Sequence, residues 1–292
     1  MGSKATTIEE QIQKLSDRGM VFENAEEIEK AKEVLLDVGY YRLGFYWYYF
    51  QNNKTHHFNE DVNLNDIVKL YYFDFDLKML LLRYIYRIEV HFRTQLIYFA
   101  SNHYSDNNTW YVDPKIVDSQ IFKEFNNIYF NLKTKNNILI KHHNKYHPCD
   151  YAPAWKVFEF LTFGQTFKFY SNLKNEELKK KISAVYGFRD VSLLNNYFTA
   201  LINIRNICSH NGILFDYNQA YGIKRIPNLK YRIKSGNTTN VNASIRLLLF
   251  ILSKISKNRA DELEVELKKL FKDTQENEIV DRVIKSKIKF DM

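Results

Sequence analysis

Apolar residues recur every three or four positions along most of the chain. Ile8, Ile12 and Leu15 set this spacing near the start, and a second segment from about Ala25 to Val38 continues it. The longest such stretch begins near Leu64 and extends to about Ser101. Because this period places apolar side chains on one face of a helix, the pattern predicts several amphipathic helices organised around one long scaffold helix.

The second half of the chain carries the same helical period. Asn242 to Ser256 is so apolar that it is predicted to be fully buried. Only 9 Gly and 4 Pro occur in 292 residues, which argues against a turn-dense β architecture. The predicted fold class is therefore all-α. The remaining predicted helices are Ile121 to Leu132, Pro153 to about Leu173, Asn175 to Tyr186, Val191 to Ser209, Ala260 to Phe271 and Glu278 to Ile288.

A dense aromatic run follows the second predicted helix, between Tyr40 and Phe50. Such rings could stack on nucleic-acid bases, but rings this close together are more often buried between packed units. We therefore predict an N-terminal helical extension over residues 1–60, joined by this aromatic seam to a helical domain over residues 61–292.

The segment LINIRNICSHNGIL, from Leu201 to Leu214, brings three polar residues to the end of a predicted helix. Arg205, Asn206 and His210 precede Asn211-Gly212, a typical helix stop. On an ideal helix Asn206 and His210 share a face, whereas Arg205 and His210 lie roughly 140° apart. Arg205 would meet His210 only if the last turn loosens or if a second copy of the chain supplies the partner.

The chemistry of these residues allows two interpretations. The negative end of the helix dipole favours a protonated imidazole, which suits His210 to proton transfer near neutral pH. Alternatively, Arg205 pairs with a carboxylate and His210 only caps helix carbonyls.

Two acidic positions are possible partners for these cations. Glu89 and Arg93 lie four residues apart on the scaffold helix and should face the same way. They form either an ordinary surface ion pair or a pair that orients the site or contacts phosphate. Glu159, which lies among apolar neighbours, either pairs with an arginine or faces water.

The net charge of +8 permits an anionic partner such as RNA. Asp216 to Asn240 is predicted to be an exposed basic loop, and Lys141 to Cys149 a basic, histidine-rich solvated loop. His143, His147 and Cys149 have the residue types of zinc ligands, but no complete four-ligand spacing is present, so no metal is predicted. The candidate RNA-binding residues are Lys224, Arg225, Lys230, Arg232, Lys141 and Lys145.

Other function classes find little support. The two cysteines form no disulfide framework, and the chain shows neither a signal peptide nor an uninterrupted run of about 18 apolar residues. We expect a cytoplasmic protein without membrane contact. No glycine-rich phosphate loop and no serine or cysteine nucleophile motif is present, so no cofactor is expected.

Four segments together resemble the Abi-like (AbiD/AbiF) family of bacterial abortive-infection proteins, whose core belongs to the HEPN superfamily. They are VGYYRLGFYWYYF (Val38 to Phe50), YYFDFDLKMLLLRYIYRIEVHFR (Tyr71 to Arg93), PAWKVFEFLTFG (Pro153 to Gly164) and RNICSHN (Arg205 to Asn211). Each segment is weak alone, but their ordered set is specific. The His142 to Cys149 segment and the basic loop after Asp216 match no motif of the family.

The resemblance implies a HEPN-type helical bundle that acts as a metal-independent endoribonuclease in phage defence. Arg205 and His210 fall on the family's R-x(4–6)-H signature and Asn206 on its polar position, which makes these three the expected catalytic residues. Glu89, Arg93 and Asn211 are expected to support them. Some similar family members are encoded with a structured noncoding RNA.

One such motif per chain implies a homodimer with a composite site. The alternative function is a non-catalytic RNA-binding module that anchors, or is held by, a structured noncoding RNA. A third possibility, a nucleotide-binding toxin partner, finds no phosphate loop in its favour.

Overall fold

The computed structural model describes residues 4–59, 62–210, 212–234 and 236–291. These ranges contain helices and no strand, so the all-α prediction is confirmed. The α-helices are α1 (Ile8–Asp17), α2 (Ala25–Asp37), α3 (Tyr40–Trp47), α4 (Leu64–His103), α5 (Phe122–Lys135), α6 (Asn137–Lys145), α7 (Ala154–Val157), α8 (Phe163–Ser171), α9 (Glu176–Ala184), α10 (Val191–Ser209), α11 (Val241–Ile255), α12 (Lys257–Asp273) and α13 (Glu278–Ile288). Short 3-10 turns lie at Tyr48–Phe50, Trp110–Val112, Ser119–Ile121, Phe158–Phe160 and Thr274–Glu276.

Helix α4 is the scaffold that the sequence predicts. It begins at a capping box in which the Asn63 side chain accepts the Asp66 N–H and the Asp66 carboxylate accepts the Asn63 N–H. Its buried face packs against α3 and α9 to α13. The 40-residue length lets one helix contact most of the others, so side chains on α4 can orient groups that are distant in sequence.

Helix α10 lies against α4 and ends at Ser209, as predicted. Its contacts join Arg205 to Glu89 and the segment after the helix to Asp74, so the two helices run antiparallel. Helix α11 packs behind both and buries twelve residues, from Val241 to Leu252. The apolar segment is therefore core, and it supports the α4–α10 pair.

The aromatic run after α2 is partly a seam between α3 and the rest of the bundle. Tyr46, Trp47 and Phe50 are buried, and the Tyr46 ring stacks on Phe215 with centroids 6.1 Å apart. Tyr41, in contrast, is 81% exposed. The division near residue 60 stays a prediction.

The prediction of a solvated loop from residue 141 onward is wrong as far as Lys145. Helix α6 occupies Asn137–Lys145, capped by the Asn136 side chain, and both His142 and His143 are buried. The histidines and lysines obscured the helical period because His142 and His143 fill apolar positions. Burial lowers the pKa of both histidines, with Lys156 acting further on His142 and Lys133 on His143.

The described residues of the segment 216–240 form no helix, but the segment is not a simple exposed loop. Ile223, Ile226 and Tyr231 are buried, and the buried Gln219 side chain donates hydrogen bonds to the Ala200 carbonyl and the Ser244 hydroxyl. The segment is thus fastened to α10 and α11. None of the helices in the described ranges combines the length and apolar content that a membrane crossing needs.

Candidate functional site

The end of α10 exposes two of the three expected catalytic residues. Asn206 and His210 are both exposed, and the His210 N–H donates to the Asn206 carbonyl at 3.1 Å. His210 caps the helix with an extended backbone, φ −116° and ψ 174°. His210 is the cap residue directly after the helix, and its N–H still makes the i, i−4 hydrogen bond to Asn206, so the shared face of the two side chains stays a prediction.

Arg205 faces the scaffold helix. Its Nε lies 3.6 Å from Glu89 Oε2, while Glu89 Oε1 accepts a hydrogen bond from Arg93 Nη2 at 3.1 Å. Glu89 and Arg93 are only 5% and 7% exposed, so the surface-ion-pair interpretation is wrong. The buried Glu89 carboxylate lies between two guanidinium groups. Because a buried charge is costly without partners, both arginines stabilise its ionised form.

A second set of contacts fixes Arg93. Its Nη2 also donates to the Leu161 carbonyl at 3.0 Å, and its Nη1 lies 3.7 Å from Glu159 Oε2. The Glu159 side chain is 59% exposed, so it both approaches an arginine and faces water. The buried acidic partner of these arginines is therefore Glu89. The connection between α7 and α8 contacts this pair through the Leu161 carbonyl, which binds Arg93.

Arg205 keeps capacity for a further partner. Its side chain is 26% exposed, and its terminal nitrogens make no hydrogen bond to any residue in the described part of the chain. Arg205 and His210 likewise make no hydrogen bond with each other there. Glu89 thus orients the guanidinium group and leaves its outer edge available to an anion.

A buried cluster that the sequence analysis did not identify fixes the segment after His210. The Asp74 carboxylate, fully buried on α4, accepts the N–H groups of Leu214 at 2.9 Å and Phe215 at 2.7 Å. Lys78 Nζ lies 3.0 Å from Asp74 and donates to the Gly212 carbonyl at 3.2 Å. The i, i+4 spacing of Asp74 and Lys78 among apolar residues was the available signal.

The same cluster affects two neighbouring side chains. The Tyr46 hydroxyl donates to Asp74 at 2.8 Å, and burial together with the Asp74 charge raises the pKa of Tyr46. Burial and then Asp74 raise the pKa of Cys208 to about 12. The Cys208 thiol, two residues before His210, is therefore protonated at neutral pH and unsuited to act as a nucleophile.

The candidate RNA-binding residues fall on separate elements. Lys230 is tied to α12 by an ion pair with Glu264 at 2.7 Å, and Lys224 Nζ donates to the Ser192 hydroxyl at 3.0 Å. The exposed Arg225 and Arg232 line one cavity of about 280 Å³ in the 216–240 segment, and Lys141 and Lys145 are exposed on α6. Asn211, expected to support the site, lies outside the described residues.

His143, His147 and Cys149 have the residue types of zinc ligands. Within the described ranges, no group of three or more histidine, cysteine or acidic side chains is arranged to hold a metal ion. Cys149 Sγ does approach His143 Nδ1, at 3.4 Å. Of the three residues, Cys149 lines a cavity beside α6.

A protein-family model described as "Abi-like protein" matches residues 33–216, more than half of the chain. The chain belongs to the Abi-like family. No curated protein and no solved structure matches it. The Abi-like match spans the whole α4–α10 pair and ends just after the segment that Asp74 fixes, so the basic residues from Lys224 onward lie outside it. Membership connects the protein with abortive infection, a bacterial defence against phage.

Proposed function

We propose that this Abi-like protein is a metal-independent endoribonuclease of the HEPN type. The observation that carries the proposal is that His210 is exposed while residues on both sides of it are anchored to α4. Arg205 pairs with Glu89 on one side, and Gly212 with Lys78 on the other. An exposed imidazole on a backbone held in this way is suited to proton transfer.

RNA supplies its own nucleophile in this reaction. The 2′-hydroxyl loses its proton to a general base and attacks the adjacent phosphorus, forming the 2′-O–P bond. The P–O5′ bond breaks, and a general acid protonates the departing 5′ oxygen. The products carry a 2′,3′-cyclic phosphate and a 5′-hydroxyl, and histidine can serve as base or acid at neutral pH.

The remaining site residues bind the negatively charged phosphates of the RNA. The outer edge of the Arg205 guanidinium, oriented by Glu89, stabilises the negative charge that develops on the phosphorane. The exposed Asn206 amide, one residue along α10, hydrogen-bonds the same phosphate or its ribose. Lys141, Lys145, Lys224, Arg225, Lys230 and Arg232 contribute contacts to the RNA backbone.

In-line attack benefits from an acid and a base on opposite sides of the phosphorus, and each chain carries one such histidine. We therefore propose that two copies form a composite site. A surface on α4 supports this arrangement, because Tyr72, Phe75, Met79 and Tyr86 are each at least 41% exposed. At about 100° per residue, these four positions span only about 60° of the helix circumference.

We call these four residues the α4 stripe. Their spacing, together with the half-buried Leu82, alternates between three and four residues, as in helices that pair with one another. Met79 and Tyr86 lie between Lys78 and Glu89, the α4 residues that bracket His210. A second copy packed on this stripe would bring the two α10 ends to one interface.

The test compares substrates in the presence of a chelator. Single-stranded RNA should be cut without added metal, and an all-deoxy strand of the same sequence should bind but stay intact. Metal-dependent cutting of DNA would contradict the proposal. Tight, salt-sensitive RNA binding without products would instead support the alternative, a module that anchors a structured noncoding RNA.

A further inference from the structure

A cavity of about 670 Å³ opens beside α6 and α7, away from His210 in sequence. It lies within the range of about 300–1,000 Å³ that is typical of small-ligand sites. The proposed mechanism does not use it. Its main lining residues are Tyr146, Trp155, Lys156, His142, Cys149 and Asn108.

Two large aromatic rings at the cavity are exposed. Trp155 is 48% exposed and Tyr146 is 50% exposed, whereas Trp47 and Trp110 are 5% and 0% exposed. Cations accompany these rings: Lys145 Nζ and Lys156 Nζ lie 5.1 Å and 5.9 Å from the centre of the Tyr146 ring. Aromatic faces flanked by cations are the features with which proteins bind single-stranded nucleic acid.

The inner wall of the cavity is polar and ordered. His142 is 8% exposed, and its Nδ1 lies 3.2 Å from Lys156 Nζ. Because an ammonium group can only donate, Nδ1 accepts and Nε2 carries the ring proton of the neutral imidazole. Asn108, Thr109 and Asp150 add amide, hydroxyl and carboxylate groups around the opening, which can pair with the polar edge of a base.

The cavity is connected to the candidate site through the chain. Trp155 lies in α7, and the next turn carries Glu159, which pairs with Arg93, the second partner of Glu89. Glu89 in turn holds Arg205. A series of ion pairs, through Glu159, Arg93 and Glu89, thus links the segment that carries Trp155 to Arg205.

We propose that this cavity binds an unpaired base of a single-stranded RNA, stacked on Trp155 and Tyr146, with Lys145 and Lys156 contacting its phosphates. This inference rests on the proposed function for its substrate class. It adds a binding subsite that selects unpaired over paired RNA, since a base inside a duplex cannot enter the cavity.

Tryptophan fluorescence tests the proposal directly, because the other two tryptophans of the chain are buried. The protein is the full chain with His210→Ala, so that the RNA stays intact. A short oligouridylate should quench the Trp155 emission, and an abasic ribose-phosphate chain with the same number of phosphates should not. Equal quenching by the abasic chain would overturn the base subsite.

Substitutions sharpen the test. Trp155→Ala should weaken oligouridylate binding about tenfold, whereas Trp155→Phe, which keeps a ring, should bind within a small factor of the parent. Tyr41→Ala removes a ring on α3 that is more exposed than Trp155, and it should change nothing. Unchanged binding by Trp155→Ala would overturn the proposal. Quenching by free uridine monophosphate as strong as that by the oligonucleotide would also overturn it, in favour of a free-nucleotide site.

Failure of this proposal and failure of the proposed nuclease are separable. In the chain with His210 intact, Trp155→Ala should raise KM for RNA cleavage and leave kcat unchanged. A chain that cuts RNA with the same KM after Trp155→Ala would be a nuclease without this subsite. A chain that cuts nothing, yet shows base-dependent quenching, would keep the subsite and lose the nuclease.

Discussion

Arg205 Nε on α10 lies 3.6 Å from Glu89 Oε2 on α4, and the same carboxylate binds Arg93 through its other oxygen. One buried acid therefore sets the position of a cation five residues before the exposed His210. This relationship joins the two helices that carry the candidate site, and it makes Glu89 a positioning residue in the proposed nuclease.

Glu89→Ala should destabilise the fold and abolish cleavage. Removing the carboxylate leaves Arg93, whose side chain is 8% exposed, without its closest acidic partner, which costs about 3 kcal/mol of unfolding free energy. Urea denaturation measures this loss. Glu159→Ala is the matched control, because its side chain is 59% exposed and its removal should change stability by less than about 0.5 kcal/mol.

Glu89→Gln separates positioning from stability. The amide keeps a hydrogen-bond acceptor for Arg93 but loses the charge that orients Arg205, so kcat should fall more than KM rises. Full activity in Glu89→Gln would show that the ion pair with Arg205 has no part in cleavage.

Asp74→Ala should release the segment after His210. The carboxylate accepts two backbone N–H groups, from Leu214 and Phe215, and all three sites are buried. Leaving these groups unsatisfied costs about 3 kcal/mol or more, and amide hydrogen exchange at Leu214 and Phe215 should accelerate. Unchanged protection of both amides would contradict the role assigned to Asp74.

The sequence predicted the main helices well and the tertiary pairing poorly. The sequence places α4 and α10 within two residues of their observed bounds, because both are long and Gly212 follows the end of α10. Glu89 was identified only through its i, i+4 relation to Arg93. Its contact with Arg205 depends on how α4 packs on α10, which no local rule contains.

Two misses have related causes. Asp74 is a charged residue on the buried face of α4, and local patterns assign charged residues to the surface. Helix α6 is short, and His142 and His143 occupy its buried positions, so its basic composition predicts a solvated loop instead. Both errors arose where polar residues are buried with specific partners.

Tyr86→Glu should convert a dimer into a monomer and reduce cleavage at least about tenfold. The glutamate places a charge within the α4 stripe, where a paired copy would have to desolvate it. Tyr98→Glu is the control, since Tyr98 is 60% exposed on the same helix but lies outside the stripe. Sedimentation velocity reports the mass of each variant, and a parent chain that stays monomeric would contradict the composite site.

The stability of the fold should fall as the pH drops below about 6.5, the ordinary histidine pKa. Burial lowers the pKa of His142 and His143, so the unfolded chain binds protons there before the folded chain does. The neutral, buried histidines contribute their full stabilisation at pH values above the histidine pKa of the unfolded chain. As the pH falls from there towards the lowered pKa of the folded chain, the unfolding free energy decreases by up to about 1.4 kcal/mol per histidine for each pH unit.

Urea denaturation at pH 7.5 and 5.5 checks this pH dependence. The difference in unfolding free energy should shrink in the His142→Gln, His143→Gln double variant, although His91, whose pKa burial and Arg87 also lower, should keep part of it. Asn144→Ala, exposed on the same helix, controls for general effects on α6. An equal difference in the parent and the double variant would contradict this account.

The most direct test of the central claim is RNA cleavage by His210→Ala in the presence of a chelator. His210 is exposed, so its truncation should leave the melting temperature unchanged. The account predicts that the parent chain produces 2′,3′-cyclic phosphate ends and that His210→Ala produces none while still binding RNA. Cleavage by His210→Ala at the parent rate would contradict it.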